Sequence, residues 1–151
     1  LKSFKGLNHR HEIFLKKKNI SFINDSKATS FEASRFALSS NKNIFWIVGG
    51  LPKLNDRFKL KGLSNNIIKT FVIGKNLKFF KKQLAGKVNF EISKTLKKAL
   101  VSIFKIIIKI PDKKANILLS PASASFDQFK NFEERGNFFK KLVKFYGKKY
   151  L

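Results

Sequence analysis

Short apolar runs alternate with amphipathic helical patterns along most of this 151-residue chain. Ile44–Val48 is continuously apolar, as expected for a central strand that is buried on both faces of a sheet. Residues 95–108 instead repeat apolar side chains at helical spacing, with lysines off that face. Strands that alternate with helices favour parallel pairing through crossover helices. We therefore expect an α/β fold in three layers, with a mostly parallel sheet and helices on both faces.

The N-terminal part departs from this alternation. Residues 12–16 and 20–25 both have strand-like patterns, and a short polar turn at 17–19 separates them. We expect them to form a β-hairpin at the start of the fold. Thr29 or Ser30 is the predicted N-cap of the first helix, and Asn76 that of a later one. The other predicted strands are 67–73, 88–92 and 115–119, and the other predicted helices are 30–38, 76–84 and 137–146.

The net charge of +24 raises the possibility of a nucleic-acid-binding protein. Arginine is the side chain that binds bases and phosphates in bidentate fashion, but it is scarce here, and the lysines are spread along the whole chain. The joint excess of Lys, Asn, Ile and Phe is typical of an AT-rich genome. A solvated lysine surface on an ordinary fold is the favoured interpretation, and a lysine-rich anion- or nucleic-acid-binding module remains an alternative.

Several classes of protein are disfavoured by the residues that are missing. Cysteine is absent, which excludes disulfides and thiolate metal sites, and two histidines alone do not predict a metal site. No Gly-x-Ser-x-Gly motif is present, and the only two histidines lie near the N-terminus, far from the serines at 120–125, so we expect neither a hydrolase nor a nucleophilic catalytic residue in this chain. No apolar run suits a membrane span and no secretion signal is visible, so we expect a cytoplasmic location. Methionine is absent too, so we expect a longer reading frame.

Three loops that follow predicted strands carry the informative polar residues. Asp25 and Lys27 follow the second strand, at the edge of the sheet where α/β proteins bind ligands. Gly49-Gly50 and then Lys53 follow the buried third strand; glycines let the backbone approach a ligand, and lysine adds a positive charge. Small residues at 120–125 leave backbone N–H groups open to an anion. A plain capped turn is the alternative interpretation of the first loop.

These loops also carry a resemblance to a known family. Asn-Asp-Ser-Lys-Ala-Thr at 24–29, Gly-Gly-x-x-Lys at 49–53 and Ser-Pro-Ala-Ser-Ala-Ser-Phe-Asp-Gln-Phe at 120–129 occur in the same order as in the C-terminal domain of the Mur ligases. Asn-Phe-Glu-Glu-Arg-Gly at 131–136 completes the last motif. The match covers nearly the whole chain and is strongest to the D-glutamate-adding branch. It implies a Rossmann-like domain at 11–151, preceded by an interdomain linker at 1–10.

The resemblance implies a specific activity for a longer protein. Mur ligases of this branch use ATP and Mg²⁺ to join D-glutamate to UDP-N-acetylmuramoyl-L-alanine through an acyl phosphate, in peptidoglycan precursor synthesis. An N-terminal and a central domain, both missing here, hold the UDP sugar, the ATP phosphates and the magnesium, while the C-terminal domain delivers the amino acid. The resemblance therefore implies a monomer whose partners are its own missing domains, with no nucleic acid or membrane partner.

The resemblance also assigns roles to residues. It implies that Thr29, Lys53, Ser125 and the backbone of Phe132 contact D-glutamate. Positions matching Arg10 and Asp25 approach the nucleotide, and Lys27 lies beside them.

The sequence departs from the family in a few places. Leu51 stands where many members have an acidic residue, Asn8 replaces a usual proline and Ser123 a common cysteine. Because the Gly-x-x-x-x-Gly-Lys-Ser/Thr loop is absent, we do not expect the chain alone to turn over ATP. The C-terminal domain of another Mur-type or folylpolyglutamate-type ligase remains an alternative.

Overall fold

The computed structural model describes residues 7–151, so 1–6 of the predicted linker lie outside the described residues. A single six-stranded sheet has the order β1-β2-β6-β3-β4-β5. Its strands are β1 (Glu12–Lys17), β2 (Ile20–Asn24), β3 (Ile44–Val48), β4 (Ile67–Ile73), β5 (Phe90–Lys94) and β6 (Ala115–Leu119). The helices are α1 (Phe31–Ser40), α2 (Leu77–Leu84), α3 (Leu96–Ile107) and α4 (Phe132–Tyr150), with a 3₁₀ turn at Ser64–Asn66.

The pairing of the strands confirms the predicted fold class. β1 and β2 form the expected antiparallel hairpin. The pairs β2–β6, β6–β3, β3–β4 and β4–β5 are all parallel. The carboxyl ends of five strands therefore meet at one edge of the sheet, which is where parallel α/β folds place their ligand-binding loops.

Helices cover both faces of the sheet, as the alternating pattern predicts. Side chains of β3 point alternately to the two faces, so Phe45 packs with one core and Trp46 with the other. The first core is closed by α3 and α4 through residues such as Phe104 and Phe139. The second core is closed by α1 and α2 through residues such as Leu38 and Phe80. Within residues 7–151, no helix is both long and apolar enough to cross a bilayer.

The last helix differs from its prediction, because it begins at Phe132 rather than at 137 and continues to Tyr150. The Asn131 side chain caps it by accepting a hydrogen bond from the Glu134 N–H at 2.8 Å. Gly136 lowers the helical propensity of this segment but is required by packing, since a Cβ there would lie 2.2 Å from His9 Nδ1. A tertiary contact therefore explains a glycine within the first turns of the helix.

The predicted caps have different outcomes. Ser30 caps α1 by accepting a hydrogen bond from the Ala33 N–H at 3.2 Å. Asn76 occupies the N-cap position of α2, but its side chain makes no capping bond. Its amide instead donates to the carbonyl of Gly50 at 2.8 Å. The predicted position is correct for Asn76, and the predicted capping bond is wrong.

Candidate functional site

Two of the loops singled out from the sequence pair with each other at the carboxyl edge of the sheet. The backbones of Leu51 and Ala124 exchange two hydrogen bonds, each 2.8 Å long, in an isolated antiparallel bridge. Lys53 lies two residues after one partner, and Ser125 directly follows the other. The fold therefore brings together two predicted ligand-binding residues that lie far apart in the sequence.

The glycine pair makes this bridge possible. Gly49 and Gly50 have φ angles of +135° and +145°, which residues other than glycine rarely adopt. A Cβ on Gly49 would lie 2.0 Å from the carbonyl oxygen of Ile73, and one on Gly50 would lie 2.3 Å from that of Ala124. The space that the absent side chains leave is filled by neighbouring backbone. The sequence pattern suggested that a ligand would approach there.

A third loop, between β4 and α2, is hydrogen-bonded to both of these loops, and the three loops together form a frame of backbone at this edge of the sheet. The Lys75 N–H donates to Asp127 Oδ2 at 3.1 Å, and the Asn76 amide donates to Gly50. Asp127 is in the same loop as Ser125, and Gly50 is in the same loop as Lys53. The two candidate loops are thus each tied to the β4–α2 turn as well as to each other.

The other exposed candidates lie on the β2–α1 turn and on the segment that precedes β1. The Lys27 N–H donates to the carbonyl of His9 at 2.9 Å, which places Lys27 beside Arg10. Lys27 Nζ also lies 5.7 Å from the centre of the Phe132 ring, a distance compatible with a cation–π contact. The side chains of Arg10, Lys27, Thr29 and Lys53 are exposed. Cationic groups and one hydroxyl are therefore open to solvent at this edge.

Asp25 is buried, and each of its carboxylate oxygens accepts a hydrogen bond from within the chain. Its side chain accepts hydrogen bonds from the His11 N–H at 2.9 Å and from the Ser120 hydroxyl at 2.7 Å. Burial raises the pKa of Asp25, while these hydrogen bonds act in the opposite direction. Asp25 therefore ties β1 and the β6 loop to the β2–α1 turn. Its role at the nucleotide stays a prediction.

Ser125 and Phe132 contribute mainly backbone groups. The Ser125 carbonyl accepts the N–H groups of Gln128 and Phe129, so a compact turn follows it, and its side chain is buried. Phe132 opens α4, whose first N–H groups have no acceptor within the helix. A helix N-terminus favours a carboxylate, so the position of Phe132 suits the predicted contact with an acidic amino acid. The contact predicted for Ser125 stays a prediction.

Arg135 is a structural residue that reasoning from the sequence missed, although it lies inside the last motif. It is 1% exposed, and its Nε and Nη2 donate to the hydroxyl and the carbonyl of Ser26 at 2.9 and 2.7 Å. Burial lowers the pKa of Arg135 to about 10. The signal available in the sequence was an arginine in a chain whose other cationic side chains are nearly all lysine.

His9 is the second residue whose role was missed. Its Nδ1 lies 2.9 Å from Asn24 Nδ2, so Nδ1 is the acceptor and the ring proton is on Nε2. The His9 N–H donates to Glu12, whose carboxylate pairs with Lys140 at 2.6 Å. The histidine therefore packs the segment that carries Arg10 against α4. Within the part of the chain that the structure describes, no group of three or more His, Cys, Asp or Glu residues could hold a metal ion.

Leu51 departs from the acidic residue expected by family resemblance, but it contributes to the frame through its backbone. Its side chain is 39% exposed, so the leucine is compatible with the backbone pairing to Ala124.

Together, the loops present cations, a hydroxyl and helix N–H groups around a frame of fixed backbone. Such a surface can bind and orient a small dicarboxylate, because each carboxylate finds either a cation or free N–H groups.

The comparisons with known proteins agree with the family resemblance. Curated proteins named UDP-N-acetylmuramoylalanine--D-glutamate ligase from Nitrobacter hamburgensis and Rhizobium meliloti are 45% identical to the chain over 95% and 92% of its length. The protein of that name from Wolbachia is also 45% identical, over 92% of the chain. No protein-family model matches. The chain spans only 28–31% of the length of these relatives and is homologous to that part of them.

Proposed function

We propose that this chain is the C-terminal, amino-acid-delivering domain of an ATP-dependent ligase that joins D-glutamate to UDP-N-acetylmuramoyl-L-alanine. The main support is the backbone pairing of Leu51 with Ala124, which brings the Lys53 and Ser125 loops together. The similarity to ligases of that name over nearly the whole chain supports the same assignment. On this proposal the fragment positions D-glutamate, and the chemistry of activation takes place on domains outside it.

Each proposed contact matches the chemistry of D-glutamate. Lys53 supplies a cation for one carboxylate, and the first N–H groups of α4 at Phe132 suit the side-chain carboxylate. Thr29 and Ser125 supply polar groups that fix the orientation of the amino acid, and thereby its stereochemistry. The amine of D-glutamate would then be directed at the acyl phosphate, with phosphate as the leaving group.

The proposed nucleotide contacts lie on the β2–α1 turn and on the segment that precedes β1. Arg10 and Lys27 are exposed cations on neighbouring stretches of backbone, because the Lys27 N–H donates to the carbonyl of His9, and both can pair with anionic groups of ATP. The described residues do not fit a protein-held Mg²⁺, because they offer no cluster of acidic ligands. The proposal therefore assigns magnesium and phosphate chemistry to the missing domains. It further places the ligase in the cytoplasm, as a monomer.

The chirality of the ligand tests this proposal. We expect titration of the chain with D-glutamate, followed by NMR, to shift the amide signals of Thr29, Lys53, Ser125 and Phe132. L-glutamate should bind more weakly, because polar groups around the α-carbon select one enantiomer. Lys53→Met should weaken binding about tenfold through the lost ion pair, whereas Lys59→Met, at another exposed lysine, should not.

The same titration separates the alternatives. Equal affinity for both enantiomers, with a steep loss on adding salt, would favour a lysine-rich anion-binding module, which the net charge of +24 makes the second candidate. Stronger binding of a different amino acid would point to the C-terminal domain of another Mur-type or folylpolyglutamate-type ligase.

A further inference from the structure

Asn76 uses its side chain in an unexpected way. Asparagine at an N-cap commonly accepts a hydrogen bond from the first turn of its own helix. Asn76 has φ −91° and ψ 49° and makes no such bond in α2. Its Nδ2 donates to the carbonyl oxygen of Gly50, 26 residues earlier, at 2.8 Å. The N-terminus of α2 therefore has no side-chain cap from Asn76, whose amide bonds instead to the loop that carries Lys53.

The bond acts on one particular peptide unit. The carbonyl of Gly50 and the N–H of Leu51 belong to the same planar peptide. Asn76 holds the oxygen at one end of this plane, and the carbonyl of Ala124 accepts the N–H at the other end at 2.8 Å. The orientation of the peptide plane is thus fixed at both ends.

Gly50 is the residue at which such fixing is most needed. Its φ of +145° lies in a region that glycine enters freely, so rotation about this residue meets little steric resistance. A rotated peptide would break the bridge to Ala124 and redirect the chain that leads to Lys53. The two hydrogen bonds oppose that rotation where the backbone itself does not.

We propose that Asn76 is a positioning residue for the amino-acid-binding loop: by clamping the Gly50–Leu51 peptide, it fixes the direction in which Lys53 leaves the sheet. The proposal deepens the proposed function and rests on it, because it takes Lys53 to be a D-glutamate ligand. Asn76 itself acts only through Gly50 and does not touch the amino acid.

Asn76→Asp tests the proposal with almost no change in size. The carboxylate keeps the ability to cap α2 but cannot donate to the Gly50 carbonyl. Asn66→Asp is the matched control, since Asn66 Nδ2 donates to the Leu38 carbonyl at 3.0 Å, before the amino end of β4. We expect hydrogen exchange at the Leu51 and Ala124 amides to speed up about fivefold to tenfold in the first variant only. Its D-glutamate affinity should fall by a similar factor.

Two readouts keep the outcomes distinct. Unchanged exchange at Leu51 and Ala124 in Asn76→Asp, or an equal increase in Asn66→Asp, would overturn the positioning role. If the unmodified chain does not bind D-glutamate, the proposed function fails, and exchange still shows whether Asn76 fixes the loop. Should Asn76→Asp not fold, Asn76→Ser gives the same comparison, because serine can cap a helix but is too short to reach Gly50.

Discussion

Arg135 donates to both oxygen atoms of Ser26, with Nε 2.9 Å from the hydroxyl and Nη2 2.7 Å from the carbonyl. The same hydroxyl donates to the carbonyl of Phe132 at 2.7 Å. The guanidinium therefore joins α4 to the turn that carries Lys27 and Thr29. These contacts hold the proposed nucleotide side of the surface against the helix whose N-terminus is proposed to bind the amino acid.

Arg135→Lys should destabilise the fold by about 2 kcal/mol, because an ammonium cannot reproduce the two parallel hydrogen bonds of the guanidinium. Arg35→Lys provides the comparison, since Arg35 is exposed on α1 and its replacement should change stability by less than about 0.5 kcal/mol. Unfolding in urea measures both. Equal stabilities for the two variants would contradict the role given to Arg135.

Two glycines of α4 should respond to alanine in opposite directions. At Gly136 a Cβ would lie 2.2 Å from His9 Nδ1 and 2.9 Å from Asn24 Oδ1, so Gly136→Ala should cost about 1–3 kcal/mol. At Gly147 no atom lies within 4 Å of the added Cβ. Gly147→Ala should therefore stabilise the protein by about 0.5–1 kcal/mol through helix propensity. Thermal unfolding measures the two changes in stability. A change in the same direction for both variants would contradict this prediction.

The pH dependence of stability should carry a contribution from His9. Burial, and then the charge of Lys140, lower the pKa of His9 below 6.5. A folded-state pKa below the unfolded value means that the unfolded chain binds the proton first. His9 therefore contributes stability that is fully present above pH 6.5 and is lost as the pH falls through its folded-state pKa.

His9→Asn isolates this contribution, because the asparagine carbonyl can replace Nδ1 as the acceptor for Asn24 but does not titrate. The stability difference between the two proteins should shrink as the pH falls from 7 towards 5. Burial raises the pKa of Glu12, but its hydrogen bonds with Lys140 and the His9 N–H lower that pKa on balance, so Glu12 stays ionised across this pH range. A difference that stays constant across that range would show that His9 is not buried in its neutral form.

Much of the fold was predictable because it follows local patterns. The continuous apolar run at Ile44–Val48 identified the central strand, and the periodicity of 95–108 identified α3, within a residue or two of its ends. The three loops were identifiable because small, polar and glycine residues directly follow predicted strands. Homology then added the expectation that these loops act together.

The remaining features depend on contacts between distant segments. The start of α4 was misplaced because Gly136 is explained by His9 rather than by its neighbours in sequence. The bond from Asn76 to Gly50 could not be distinguished from an ordinary cap, since both use an asparagine before a helix. The roles of individual side chains at the proposed D-glutamate contacts remain predictions from family resemblance.

A chimeric ligase tests the central proposal most directly. The matching segment of the Rhizobium meliloti relative would be replaced by this chain, and phosphate release from ATP measured with UDP-N-acetylmuramoyl-L-alanine and either enantiomer of glutamate. We expect release that depends on D-glutamate and is lost with Lys53→Met, and no turnover by the 151-residue chain alone. A folded chimera that binds ATP but shows no dependence on D-glutamate, or turnover by the isolated chain, would contradict the account.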